Sequence, residues 1–412
     1  MEEKLITRKA AKRREEIEPP RGLSSARRWR DPVLYVPGFF RCYFLSASIR
    51  RRLRRLDFEV HSVRMPNFAA GDLARAARFL QERMEELRVL LGARRLSVIG
   101  QGLGGLAARC AVERLGAEEC LGKLIMLGTP NHGSYTMYLF SVFRGARQML
   151  PGNLFLAALN RSYESILSSG KILPYYSLYT PYDLVVVPWT SCRLEGAENL
   201  RVGWFCSHMG LVRSRKVAAL VASLLEGEER RDGNVEEDEA LLEELNSALE
   251  KNPEDEGCLY RRGMLYLQYG YYGLAIEDLN RLVKLKPDFA EAYFLRGKAL
   301  RRKITYDENP LYNRAIRDFD QVIKLKPGWA EAYYHRGVCY ALLNAWTEAL
   351  DNWDRALILD RDYYPAYMAR GIARKRKGDL AGAADDFREV LRIRPDEPDA
   401  LRFLSRLEYE DR

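Results

Sequence analysis

The residues of this chain whose types and spacing could do chemistry sit in the stretch Leu96 to Gly105, which reads LSVIGQGLGG. A short apolar strand over Ser97–Ile99 runs into a glycine-rich turn, and a helix of small residues extends from Leu103 to Leu115. A nucleophile exposed at the carboxyl edge of a parallel sheet needs this order, because flanking glycines permit a turn too sharp for other residues. In the pattern G-x-S-x-G the middle residue attacks. Here the five positions are Gly100, Gln101, Gly102, Leu103 and Gly104. The position that should carry the attacking oxygen has no side chain.

The elements around that stretch alternate. Val33–Val36 reads as a strand ending in Pro37-Gly38-Phe39-Phe40, Phe58–Val63 as a second, and Asp72–Leu91 as a long amphipathic helix. Lys123–Leu127, Tyr176–Thr180 and Arg201–Phe205 are further strands, and Leu211–Leu225 is a helix. Strands that alternate with helices predict a mainly parallel sheet with helices on both faces and its site at the strands' carboxyl ends. Residues 1–31 are polar, charged and proline-containing, and read as a flexible tail. The aromatic run from Tyr135 to Phe143 has no strand pattern; it fits a cap packed on the domain or the lining of an acyl pocket equally well.

The 412 residues fit two or three domains, and an apolar fraction of 47% supports real cores. Seven scattered cysteines without metal spacing suggest reduced thiols, and no apolar run approaches the ~20 residues of a membrane span. A cytoplasmic protein is the expectation, with neither metal nor cofactor called for. The net charge of +9 divides into +15 over residues 1–226 and −6 over residues 227–412. Modules of opposite sign are implied, with mutual attraction one use of the charge. The helix Ile49–Leu56 carries Arg50, Arg51, Arg52, Arg54 and Arg55. A solvated face is the plain reading, and peripheral contact with an anionic membrane surface the alternative. No aromatic interleaving or recognition motif points to specific nucleic-acid binding.

Residues 33–225 resemble the lipase/esterase branch of the α/β-hydrolases through several blocks in order: Tyr35–Phe40, VIGQGLGGLAARCAVERLG, LGTPNHGS, LPGNLFLAALN, YTPYDLVVVPWTS and FCSHMGL. The resemblance implies an α/β-hydrolase fold over residues 32–226. It assigns the acid to Asp183, the general base to His208, the nucleophile position to Gly102 and the oxyanion amides to Phe39 and Leu103. Pro37 and Gln101 replace the usual histidines of the oxyanion loop and the elbow. A lipid or acyl ligand is the ligand class implied. Ser134, Ser191 and Ser207 lie near the matched blocks, but none is on a strained turn over a helix. Loss of a triad nucleophile costs on the order of 10⁶ in turnover.

The second half is repetitive. Gly263, Gly297, Gly337 and Gly371 recur at steps of 34, 40 and 34, and Ala275, Ala315, Ala349 and Ala383 at 40, 34 and 34. Large apolar residues stand four after each alanine, at Leu279, Phe319, Trp353 and Phe387. The period and its small residues resemble the tetratricopeptide repeat, TPR. The expectation is an all-α solenoid: an acidic linker and helix over 227–255, repeats at 256–289, 290–329, 330–363 and 364–397, and a capping helix at 398–412. The small residues of the two helices are expected to face each other. The resemblance puts a peptide- or protein-binding concave face on Tyr260, Met264, Phe294, Lys298, Tyr334, Val338, Met368 and Ile372. Its aromatic and apolar character argues against a carboxylate clamp. The leading reading is a catalytically impaired lipase-like domain joined to an interaction scaffold. The rivals are an active ester hydrolase with a non-standard nucleophile and a TPR adaptor whose front domain is a spacer.

Overall fold

A computed structural model describes residues 31–38, 47–56, 58–63, 65, 72–202, 207–226, 235–303 and 308–410. The tail, Phe39 and the first part of the expected linker lie outside them.

Strands β1 (Val33–Val36), β2 (Val60–Ser62), β3 (Leu96–Gln101), β4 (Leu121–Leu127), β5 (Tyr175–Tyr179) and β6 (Glu198–Arg201) form one parallel sheet in the order β2-β1-β3-β4-β5-β6. Both faces are covered, so the central strands are mainly apolar and their side chains divide by the strand's two-residue period. Leu34, Val36, Val98, Leu124 and Met126 face one core, with helices Leu73–Leu91, Leu103–Leu115 and Leu154–Ser168. Val33, Tyr35, Ile99, Ile125 and Leu127 face the other, with helices Ala47–Arg55 and Arg215–Leu225. The last described strand is Glu198–Arg201, and residues 203–205 of the expected strand 201–205 lie outside the described residues.

The expected basic face on the helix Ala47–Arg55 is divided. Arg50 and Arg54 are buried: Arg54 donates to the Val60 carbonyl, and Arg50 donates to Ser62 Oγ at 2.6 Å. These two arginines fasten the helix to β2, which leaves Arg51 and Arg55 as its exposed cations.

From Val235 the chain is helical. Paired helices follow at Glu256–Gln268 with Tyr272–Leu285, Ala290–Arg302 with Glu308–Leu325, Ala330–Leu342 with Trp346–Leu359, and Tyr364–Lys377 with Leu380–Ile393, before a last helix at Pro398–Glu410. The atoms nearest the repeated glycines belong to the large side chains one turn beyond the repeated alanines. A Cβ on Gly297, Gly337 or Gly371 would come within 2.8, 2.6 or 2.7 Å of Phe319, Trp353 or Phe387, and on Gly263 within 3.2 Å of Leu279. Each glycine thus makes room for the large side chain one turn beyond the alanine. Arg262, Arg296 and Arg370, just before the glycine, bond Asp278, Asp318 and Asp386 of their own hairpins; Arg336 bonds Asn352.

The same arginines reach back to the preceding helix, to Asn246, Asn280, Asp320 and Asp354. Asn246 belongs to the helix Val235–Lys251, whose Leu242 and Leu249 join the repeat core. That helix therefore packs on the first repeat as the second helix of each hairpin packs on the next.

Candidate functional site

The turn after β3 places Gly102 at φ +49° and ψ −117°, a backbone that L side chains rarely adopt. Next to it lies His208, in the loop before the helix Gly210–Arg213. A Cβ on Gly102 would stand 3.7 Å from His208 Nε2, and the other atom within 4 Å outside that ring is the Gly128 carbonyl oxygen, at 4.0 Å. His208 Nδ1 lies 2.8 Å from Asp183 Oδ2, and the other carboxylate oxygen accepts the amides of Val185 and Val186 at 2.8 Å each. With its carboxylate anchored in this way, Asp183 accepts a hydrogen bond from Nδ1–H and leaves Nε2 directed toward Gly102. The sheet thus brings together Gly102, Asp183 and His208, residues 102, 183 and 208 of the chain.

Gly128, which ends β4, belongs to this site although the motif does not single it out. A Cβ there would meet His208 Nδ1 at 2.9 Å and Asp183 Oδ2 at 3.1 Å, so the acid–base pair fits only over a glycine. Leu103 supplies the first amide of its helix, which has no intrahelical acceptor. Phe39 lies outside the described residues. Gln101 is turned into the interior: its Oε1 accepts the Tyr35 hydroxyl at 2.7 Å, and its buried Nε2 has no partner among the described residues.

The alternative serines are engaged elsewhere. Ser134 Oγ lies 3.0 Å from the Val185 carbonyl oxygen and accepts the Val187 amide at 2.9 Å; Ser191 Oγ donates to the Gly133 carbonyl. Ser207 Oγ accepts the Gly210 amide at 3.2 Å. The aromatic run divides: Met137 is buried, whereas Tyr138, Leu139 and Val142 are 57%, 81% and 79% exposed. Leu184, next to Asp183, is 82% exposed. The Tyr135 amide donates to the Val187 carbonyl at 2.8 Å and ties this run to the segment that carries Asp183.

The second candidate surface, the concave face of the repeats, is largely filled. Phe294, Tyr334, Val338, Met368 and Ile372 are buried, Tyr260 and Lys298 half-buried, and Met264 exposed. Trp329 stacks on Phe294 at 4.5 Å, and Tyr363 meets Tyr334 edge-on at 5.3 Å. The N-terminal half covers part of it. Leu90, from the helix Leu73–Leu91, belongs to the apolar cluster of Tyr334, Val338 and Trp353, and Val89 packs on that of Met368, Ile372 and Phe387. Opposite charges frame the contact: Glu86 with Arg376, Glu85 with Arg406, Asp399 with Arg88, and Glu119 with Arg402. Of the eight expected positions, Tyr334, Val338, Met368 and Ile372 thus pack in the contact between the two halves.

Among the described residues, no group of histidine, cysteine and carboxylate side chains could hold a metal, and no helix is long and apolar enough to cross a membrane.

No curated protein sequence matches the chain. A family model described as tetratricopeptide repeat matches residues 260–313 and 306–365. Among solved structures, MamA is similar at 26% identity over 38% of this chain and 88% of its own, with a TM-score of 0.35. TTC0263, a thermophilic TPR protein of Thermus thermophilus, is similar at 24% identity over 40% of this chain and 89% of its own, with a TM-score of 0.35. The first TPR of Spaghetti (RPAP3), bound to the HSP90 peptide SRMEEVD, is similar at 24% identity over 29% of this chain and 91% of its own, with a TM-score of 0.27. The second half of the chain is a helical solenoid of tetratricopeptide repeats.

Proposed function

We propose that the protein is an interaction scaffold whose N-terminal domain is a lipase-like hydrolase without its nucleophile, one that holds an apolar ligand instead of turning it over. The carrying observation is the bond between His208 and Asp183 beside a residue, Gly102, that offers no side-chain oxygen. A base with nothing to deprotonate at the elbow cannot start an acyl-enzyme cycle. Ser134 and Ser191 do not replace the missing group, since each hydroxyl is held by backbone partners. An acyl or similarly apolar ligand suits the exposed Leu184, next to Asp183 in the chain. The test is hydrolysis of a panel of short- and medium-chain esters by the full chain, by Gly102→Ser and by Gly102→Ser/His208→Ala. This reading expects activity in the single variant alone.

A further inference from the structure

The hairpin of helices Ala290–Arg302 and Glu308–Leu325 holds a cavity of about 320 Å³ between its arms. Tyr293, Arg296, Leu300, Arg314, Arg317 and Asp318 line it. That volume falls in the range of small-ligand sites, ~300–1,000 Å³. Arg296 and Asp318 satisfy each other through hydrogen bonds of 2.8 and 2.6 Å, so the carboxylate in the wall is already neutralised. Arg314 and Arg317 are different. Both are exposed, and neither makes a hydrogen bond or ion pair with a described residue. Three positions apart on one helix face, they can direct both guanidinium forks at one guest.

The other repeats provide an internal comparison. Where this hairpin has Arg317, the first, third and fourth repeats have Glu277, Asp351 and Asp385; where it has Arg314, they have Leu274, Glu348 and Gly382. The Arg296–Asp318 pair recurs in the fold and needs no ligand to explain it, but the reversed charge beside it belongs to this repeat alone. We propose that the cleft binds a phosphate monoester. Two unpaired guanidinium forks match the several oxygens of a phosphate dianion better than the two of a carboxylate. The Tyr293 ring, 5.2 Å from the Arg296 guanidinium, and Leu300 form a wall for the body of the ester. The inference is independent of the Gly102 site.

The full chain is titrated calorimetrically with a phosphoserine peptide, its unphosphorylated twin, glycerol phosphate and inorganic phosphate. Each titration is repeated with Arg314→Glu/Arg317→Asp. That variant installs the residues of the third repeat, which the same fold already accepts, and its melting curve checks folding. Binding of the phosphorylated probes, weakened about tenfold or more in the variant (~1.4 kcal/mol) and by added salt, is the expected result. A phosphopeptide far tighter than glycerol phosphate would assign the phosphate to a protein partner; equal affinities would assign it to a free ester. No binding by the wild-type chain, or equal binding by the folded variant, overturns the proposal.

Discussion

Arg376 donates to Glu86 through Nε at 2.8 Å and Nη2 at 2.5 Å, and these two residues lie in the two halves of the chain, 290 positions apart. Glu86 is buried, and so is Glu85 beside it, which receives Arg406 Nη2 at 2.9 Å. Three of the four pairs across the contact set a carboxylate of the basic half against an arginine of the acidic half, so local pairing and not net charge joins them. Glu85→Lys/Glu86→Lys reverses both contacts and should weaken the union by about 1.5–3 kcal/mol per lost bond. Calorimetry should show one unfolding transition for the wild type and two for the variant; superimposable thermograms would contradict a joined structure.

The glycine-to-aromatic packing of the repeats makes opposite predictions at two glycines. Gly337→Ala forces a methyl against the Trp353 indole, whose Nε1 donates to the Tyr334 carbonyl at 3.2 Å, and should destabilise by about 1–3 kcal/mol. At Gly328 an added methyl meets nothing within 4 Å, so Gly328→Ala should be neutral or stabilise by about 0.4–1 kcal/mol. Chemical denaturation of the two variants checks both signs.

His335 gives the solenoid a pH dependence. It is packed between the Phe294 and Phe319 rings at 5.6 and 5.8 Å, and burial pushes its pKa down to about 4 despite the Glu331 carboxylate at 3.3 Å. The unfolded chain, with an ordinary imidazole pKa near ~6.5, binds the proton first. Stability from this residue is therefore complete above that value and is lost as the pH falls through it toward 4. The loss should be of order 1–3 kcal/mol. A melting-temperature profile should fall between pH ~6.5 and ~4 in the wild type and flatten in His335→Phe; parallel profiles would remove His335 as the cause.

How far these features are legible in the sequence depends on whether their cause is local. The strand Val33–Val36 and the helix Leu103–Leu115 have the expected bounds, because apolar runs and glycine breaks set them within a few residues. The helix Val235–Lys251 carries a readable signal as well: Leu245 and Pro253 precede Leu279 and Pro287 by the 34-residue period. An acidic composition hides it. By contrast, Tyr334, Val338, Met368 and Ile372 share the pattern of a binding face, and only the distant Val89 and Leu90 reveal that the face is covered. Arg50 and Arg54 are similar, since their acceptors on β2 are fixed by tertiary packing and not by spacing. Gly128 has no special pattern at all until His208 lies over it.

The central proposal is that the missing oxygen at position 102 keeps this chain from hydrolysing esters, and Gly102→Ser tests it most directly. A serine there would put its hydroxyl within reach of His208 Nε2, which stands 3.7 Å from the position of the new Cβ. The substitution carries backbone strain at φ +49°, and Gln101 turned toward Tyr35 leaves the elbow without its usual histidine, so partial activity is expected. The measurement is initial-rate hydrolysis of a short-chain p-nitrophenyl ester by the wild type, Gly102→Ser, and Gly102→Ser/His208→Ala. The account predicts no turnover above background for the wild type, measurable turnover for Gly102→Ser, and its loss in the double variant. Robust hydrolysis by the wild type, abolished by His208→Ala alone, would contradict it.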